Sequence, residues 1–335
     1  MAAPGSLGFT SLSAGHICNM IEPLLLHESV VTEDEIDTLG HLNVRFYVER
    51  AVNANLALLR RAGIIPAPAG QMMRRVDTYN RFHREQFTGA PLHTYGGIVP
   101  NESVGVAAGV TTYLEIRNVD KGETAASFIM TSDMIDTASQ ARQGIKLPVA
   151  DLQSLTTELP EAGRPRSLSL ATPGQVSFAE LDAVVPDEQE PGVFHGRREG
   201  TVRADDCDGQ GRLKEELEPL FVLFRAFAEQ QQRQPGPPVF TDKAGRRLGW
   251  AMIETRVTNE MRPAAGETIV SLSADLELGE KWRHTRRWLF SKESHALFGV
   301  HDQIGMCLDL GARRAIPIPD EMRAEIEAAA LPQYA

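Results

Sequence analysis

The strongest constraint on the fold is that the chain states one plan twice. Asp37-x-x-Gly40-His41-Leu42-Asn43 returns later as Asp208-x-x-Gly211-Arg212-Leu213-Lys214. A β-prone run precedes each copy, from Pro23 to Val31 in the first and over residues 194–204 in the second. A stretch with apolar residues at helical spacing follows each copy. In the first these are Phe46, Tyr47, Ala51, Ala54, Leu58 and Leu59; in the second, Leu217, Leu220, Phe221, Phe224 and Phe227. Beyond each helix come β-rich runs separated by Gly- and Pro-containing turns, at Gly89 and Gly122 in the first copy and Pro263 to Gly266 in the second. Each last run ends on an aspartate, Asp136 or Asp309, followed by a basic, proline-terminated tail. The period is too long for a solenoid. One helix followed by about four antiparallel strands, written twice, predicts an α+β chain of two similar units.

The 335 residues agree with two domains. Gly63 suits a helix C-cap, and Pro66 and Pro68 stop the first helix from continuing. Between the copies, residues 158–192 are rich in proline and charged or small side chains, around an apolar island from Leu181 to Val185. That is long for a loop inside one domain, and it reads as a connection that partly packs on the body. The expected division is 1–157, a connecting segment 158–192, and 193–335.

Apolar residues make up 42% of the chain and charged residues 24%, as in an ordinary globular protein. A net charge of −11 argues against nucleic acid or an anionic membrane as the partner. Cys18, Cys207 and Cys307 are far apart, with no C-x-x-C spacing, so neither a disulfide framework nor a zinc ribbon is expected. The acidic neighbours of Cys207 raise its thiol pKa rather than activate it. His83, His93 and His301 have no ligand spacing, and no metal is expected. There is no Gly-rich phosphate loop and no Gly-x-Ser-x-Gly elbow, so no nucleotide cofactor and no α/β-hydrolase is indicated. Residues 1–20 carry no Lys or Arg and no long apolar core, and read as a loose leader rather than a signal or transit peptide. With no run of ~18–20 apolar residues either, a cytoplasmic protein is expected.

The first copy of the loop carries more than its echo does. The run EIDTLGHLNVRFY resembles the D-x-x-G-H-x-N-x-x-x-Y signature of hotdog-fold acyl-CoA thioesterases, the 4-hydroxybenzoyl-CoA and betainyl-CoA thioesterase-like group. Asp37, Gly40, His41, Asn43 and Tyr47 match its defined positions. The resemblance implies two hotdog units in tandem, each an antiparallel sheet wrapped around a central helix. It implies hydrolysis of an acyl-CoA to free acid and coenzyme A. It also implies pairing of hotdog sheets, either between copies of the chain or between its two units. In the second copy His41 becomes Arg212, Asn43 becomes Lys214 and Tyr47 becomes Glu218. That unit is expected to be degenerate and to complete the site structurally.

Thioester hydrolysis needs a polarised carbonyl, an attacking oxygen and an acyl pocket. Helix N-termini offer unpaired N–H groups and a positive dipole end, so the amides near Gly40 to Asn43 are expected to polarise the carbonyl. Glycine at 40 lets a substrate approach the backbone closely. Asp37 is the expected nucleophile or general base, two routes the residues leave open. His41 is assigned to the thioester oxygen or to orienting Asp37, Asn43 to fixing the loop or holding water, and Tyr47 to lining the acyl pocket. Each has a plainer reading beside it: Asp or Asn before a helix is often only a cap, and Tyr47 suits a core. Glu49, on the helix, is assigned to the surface or an interface. A hydratase or dehydratase on the same fold is an alternative, although its Asp-x-Asn-Pro-x-His loop is absent and Leu39-Gly40 stands in that place. A non-catalytic acyl-CoA-binding protein is a further one.

Overall fold

The computed structural model describes residues 23–37, 39–104, 108–139, 141–145, 153–185, 196–230 and 239–335. The leader, Thr38, part of the first basic tail, the end of the connection, and the Pro235–Pro238 loop lie outside the described residues, as do the side chains of Phe224 and Phe227. The first unit contains β1 (Leu24–Val30), α1 (Val44–Arg61), β2 (Gln71–Phe82), β3 (Pro91–Val99), β4 (Val110–Asn118) and β5 (Glu123–Asp136). A short helix, α2 (Phe178–Asp182), lies in the connection. Next come β6 (Gly196–Thr201), α3 (Pro219–Gln230), β7 (Phe240–Thr241) and β8 (Arg247–Asn259). The chain finishes with β9 (Thr268–Leu278), β10 (Trp282–Ser291), β11 (Leu297–Asp309), β12 (Arg314–Ala315) and α4 (Asp320–Ala329).

The strands form one antiparallel sheet in the order β1-β3-β4-β5-β2-β8-β11-β10-β9-β6, which reads the same from either end. The seam is β2 against β8, in register from Asp77↔Thr258 to Arg81↔Glu254. The pairing of sheets that the loop motif implies is thus made within the chain.

α1 starts where Asn43 Oδ1 accepts the Arg45 N–H at 3.0 Å, and Arg60 and Arg61 in its last turn complement the dipole. Its apolar stripe is fully buried at Ala51, Ala54, Leu58 and Leu59. Alternate strand residues meet it from the sheet: Leu114, Ile116, Ala126, Phe128 and Met130. Burying each leucine there stabilises the fold by about 1.5–3 kcal/mol. A polar pair interrupts this layer, with the Thr112 hydroxyl donating to Asn55 Oδ1 at 2.7 Å.

In the second unit the spacing predicts a helix from Glu215, but α3 begins at Pro219. Proline's fixed φ and missing N–H suit the first helical position, and ahead of it residues 215–216 form a turn and 217–218 no regular element. Leu220, Val222 and Leu223 pack on Ile269, Leu289 and Phe298, while Phe221 reaches the first unit's core. The C-terminal tail, read from sequence only as basic and proline-terminated, folds into α4. Its Ile326 and Met322 cover Leu248 and Cys307. Among the described residues no helix is long and apolar enough to cross a membrane.

The opposite face of the sheet carries the connection. Leu159 and Leu168 pack on Tyr79, Tyr113 and Ile129 of the first unit and Ile304 of the second. α2 follows, with Phe178 and Leu181 against Val270, Leu272 and Trp288. Its Ser177 caps the helix reciprocally with Glu180.

Buried ion pairs also tie this part of the sheet. Asp302 accepts from His284 Nε2 at 2.6 Å and Arg286 Nε at 2.8 Å. Burial works to raise its carboxyl pKa, but those donors outweigh it and hold the group below the usual range. Such a carboxylate adds stability above its unfolded pKa of about 3.9, and the gain is lost as pH falls through the folded value. The urea midpoints of wild type and Asp302→Asn should therefore differ most near neutral pH and converge in strong acid. A difference that does not change with pH would contradict this account.

Candidate active site

The loop between β1 and α1 is built by Asp37. Its Oδ1 accepts from the N–H groups of Leu39 at 2.8 Å and His41 at 3.2 Å. Its own backbone closes the turn, with Asp37 N–H donating to the His41 carbonyl and Gly40 N–H to the Asp37 carbonyl. Gly40 sits at φ +85°, where a side chain is strained although no atom would clash with it.

The second loop repeats this geometry. Asp208 Oδ1 accepts from Gln210 N–H at 2.9 Å and Arg212 N–H at 3.1 Å, and Gly211 has φ +72°. The shared Asp and Gly are therefore loop architecture in both units. The difference lies in the second oxygen. Asp208 Oδ2 accepts from Arg262 Nη2 at 2.5 Å, whereas Asp37 Oδ2 has no partner among the described residues. Burial opposes ionisation of Asp208, but the Arg262 guanidinium and the loop amides hold its carboxyl below the usual range. Both oxygens of Asp208 are engaged, whereas among the described residues one oxygen of Asp37 has no partner.

The amides expected to polarise a carbonyl are engaged. Gly40 and His41 donate to Asp37, Leu42 N–H to the Gln86 carbonyl and Asn43 N–H to the Glu35 carbonyl. This corrects the expectation of a donor array at Gly40 to Asn43: the turn that makes the loop also consumes its donors. Val44 N–H, at the first position of α1, has no acceptor among the described residues. Asn43 is the helix cap through Oδ1, which leaves its Nδ2 donors unused among those residues.

His41 is held from the other unit. Arg313, in the turn between β11 and β12, places Nη2 2.7 Å from His41 Nε2 and also contacts Glu85 Oε2. A guanidinium cannot accept a hydrogen bond, so in this contact Arg313 donates and His41 Nε2 accepts. Glu85 Oε2 lies 3.3 Å from the same nitrogen, and the Phe87 ring meets the imidazole edge-on at 5.4 Å. Neither Arg313 nor Glu85 was identifiable from sequence as part of this site. Arg313 belongs to a basic pair in the second tail, and only the fold brings it to the first loop.

Tyr47 is buried in the first core, its ring against Phe82 and its hydroxyl donating to the Arg84 carbonyl at 3.3 Å. Burial pushes its pKa well up. Glu49 is half-buried on α1. Among the described residues no group of three or more His, Cys, Asp or Glu could hold a metal ion.

No protein-family model matches the chain, and no curated protein matches it. Solved structures do. The 12:0-ACP thioesterase from Umbellularia californica superposes with a TM-score of 0.58 at 11% identity, over 84% of this chain and 93% of that one. An acyl-ACP thioesterase from Bacteroides thetaiotaomicron gives 0.54 at 10% identity, over 83% and 96%. Both likenesses span the two units rather than one. In fold, the chain is a tandem hotdog protein.

Proposed function

We propose that the chain hydrolyses an acyl thioester, of coenzyme A or of an acyl carrier protein, to a free acid and a thiol at its first loop. The observation that carries this reading is the inequality of two matched loops: among the described residues one carboxylate oxygen of Asp37 has no partner, while both of Asp208 do. The fold shared with two acyl-ACP thioesterases supports it. Asp37 Oδ2 either attacks the carbonyl, giving a mixed anhydride that water then opens, or takes a proton from the attacking water. Val44 N–H and Asn43 Nδ2 are the donors available to the carbonyl oxygen, at the positive end of α1. Arg313 positions His41 from the second unit. Residues 1–157 and 193–335 act in this proposal as the two units, strapped by 158–192.

The test is release of free thiol from a panel of short, branched, aromatic and long acyl-CoAs, with an acyl-ACP alongside. Hydrolysis of at least one member is expected. Tight binding with no turnover on any member would favour a non-catalytic acyl-CoA-binding protein, a reading that the fully engaged amides of residues 40–43 would then explain.

Replacing Arg313 tests the link between the units. Arg313→Gln removes the guanidinium that donates to His41 and contacts Glu85. Its kcat/KM should fall roughly ten- to a hundredfold through misplacement of the imidazole, with a smaller change in KM. The Arg313 and Glu85 side chains are 57% and 48% exposed, so the melting temperature should barely move. Wild-type kinetics in this variant would remove Arg313 from the site.

A further inference from the structure

His41 Nε2 has two neighbours of opposite kind, one from each unit. Arg313 Nη2 of the second unit stands 2.7 Å away and can only donate. Glu85 Oε2, on the loop between β2 and β3, stands 3.3 Å from the same nitrogen and, while ionised, can only accept. One ring nitrogen cannot serve both. Without a proton it accepts from Arg313 and faces a carboxylate lone pair. With a proton it donates to Glu85 and faces a second donor. Histidine is the side chain that passes between these two states from about pH 5 to 8. The imidazole is only 14% exposed, so water does little to blunt the difference.

The surroundings decide which part can move. Arg313 has φ +49°, a backbone conformation uncommon for a residue with a side chain. Asp309 Oδ1 holds that turn by accepting from the N–H groups of Gly311 and Ala312, each at 2.9 Å. The arginine side chain, 57% exposed, is therefore the part able to swing. Three other charges surround the ring. Asp37 Oδ1 accepts from the His41 backbone at 3.2 Å, Lys121 stands 5.7 Å over the Phe87 ring, and Arg84 turns to Glu123 at 3.9 Å. The second loop has no such device. Arg212 stands in the place of His41, donates to the Arg262 carbonyl of its own unit at 3.1 Å, and keeps its proton throughout this range.

We propose that His41 is a proton-operated latch between the two units. Neutral, it accepts from Arg313 and ties the first loop to the second unit. Protonated, it donates to Glu85 and gives up Arg313. As regulation of hydrolysis at the first loop, the latch rests on the function proposed above; the exchange of partners does not.

The test follows the ring nitrogens of His41 by long-range proton–nitrogen NMR of the full chain from about pH 5 to 8, with His41→Gln for assignment and thiol release measured alongside. At the alkaline end the wild-type proton should sit on Nδ1. In Arg313→Met, which has no donor, the form protonated on Nε2 should grow. Glu85→Gln should move the titration to lower pH and Arg313→Met to higher pH, each by roughly threefold in the proton dissociation constant. Both replaced side chains are about half exposed, so both variants should fold. The acid limb of thiol release should move in the same two directions. The latch is overturned by a wild-type Nε2 that carries the proton throughout, by titrations that coincide in all three proteins, or by shifts of the same sign in both variants. Opposite shifts with no thioester hydrolysed would keep the latch and remove the proposed function. Hydrolysis whose pH profile ignores both substitutions would overturn the regulatory role.

Discussion

Asp37→Asn should lower kcat/KM for thioester hydrolysis about a thousandfold while leaving the melting temperature nearly unchanged. The two effects separate because the carboxylate serves two ends. Oδ1 holds the loop by accepting from Leu39 and His41 N–H, and an asparagine oxygen can accept in its place. Oδ2, without a partner among the described residues, is the oxygen that asparagine cannot supply as a nucleophile or base. Asp37→Ala would be a poorer test, since it also removes two loop hydrogen bonds, each contributing about 0.5–1.5 kcal/mol. The matched control is Asp208→Asn, where the pattern should reverse. Its amide group would face the Arg262 guanidinium that Oδ2 now meets at 2.5 Å, so stability should fall while hydrolysis continues at the wild-type rate. Equal losses of activity in both variants would show that both loops act, and unchanged activity in Asp37→Asn would remove the proposed carboxylate. Steady-state kinetics and thermal melts of the two variants side by side give the answer.

How much of this was legible before folding depends on range. The loop and α1 are local objects: an Asx turn at Asp37, a left-handed Gly40, a cap at Asn43 and a stripe at helical spacing are all written within about thirty residues. The internal echo then carried the fold class, because each copy repeats the same order of elements. What the sequence could not show was which donors the turn would use up. The Leu42 and Asn43 amides are taken by the Gln86 and Glu35 carbonyls, and the first of these lies on a different strand connection. Arg313 escaped for the same reason. It contacts the opposite unit, and no periodicity relates His41 to Arg313. The start of α3 failed on a local rule: Pro219 suits the first helical position, and the apolar stripe concealed that boundary. The candidate site is thus readable up to its loop, and its cross-unit half is set by the β2–β8 seam.

That seam has one carboxyl on which the strap between the units depends. Glu254 of β8 is 2% exposed and accepts from the Tyr79 hydroxyl at 2.8 Å, from Ser167 N–H at 2.9 Å and from Leu168 N–H at 2.8 Å, with Arg166 N–H at 3.2 Å. Tyr79 belongs to the first unit, Glu254 to the second, and residues 166–168 to the connection, so one side chain fastens all three. Removing it strands several buried donors at once, and the loss is the desolvation penalty of each rather than the modest net worth of a hydrogen bond. Glu254→Ala should therefore destabilise the chain by about 3–5 kcal/mol. Glu254→Gln, which keeps one acceptor but turns an NH₂ group toward donors, should cost roughly 1–3 kcal/mol. The damage should begin at the strap, because Leu159 and Leu168 lie over the outer face of the sheet while α1 and its core lie on the other. Limited proteolysis should accordingly cut residues 153–170 faster in both variants, before the rest of the chain opens. Urea melts followed by near-UV signals should show the ordering wild type, then Gln, then Ala. If Glu254→Ala melts with wild type, the strap is held by its apolar contacts alone. In that case the same proteolysis experiment on Leu168→Ala should expose the segment instead.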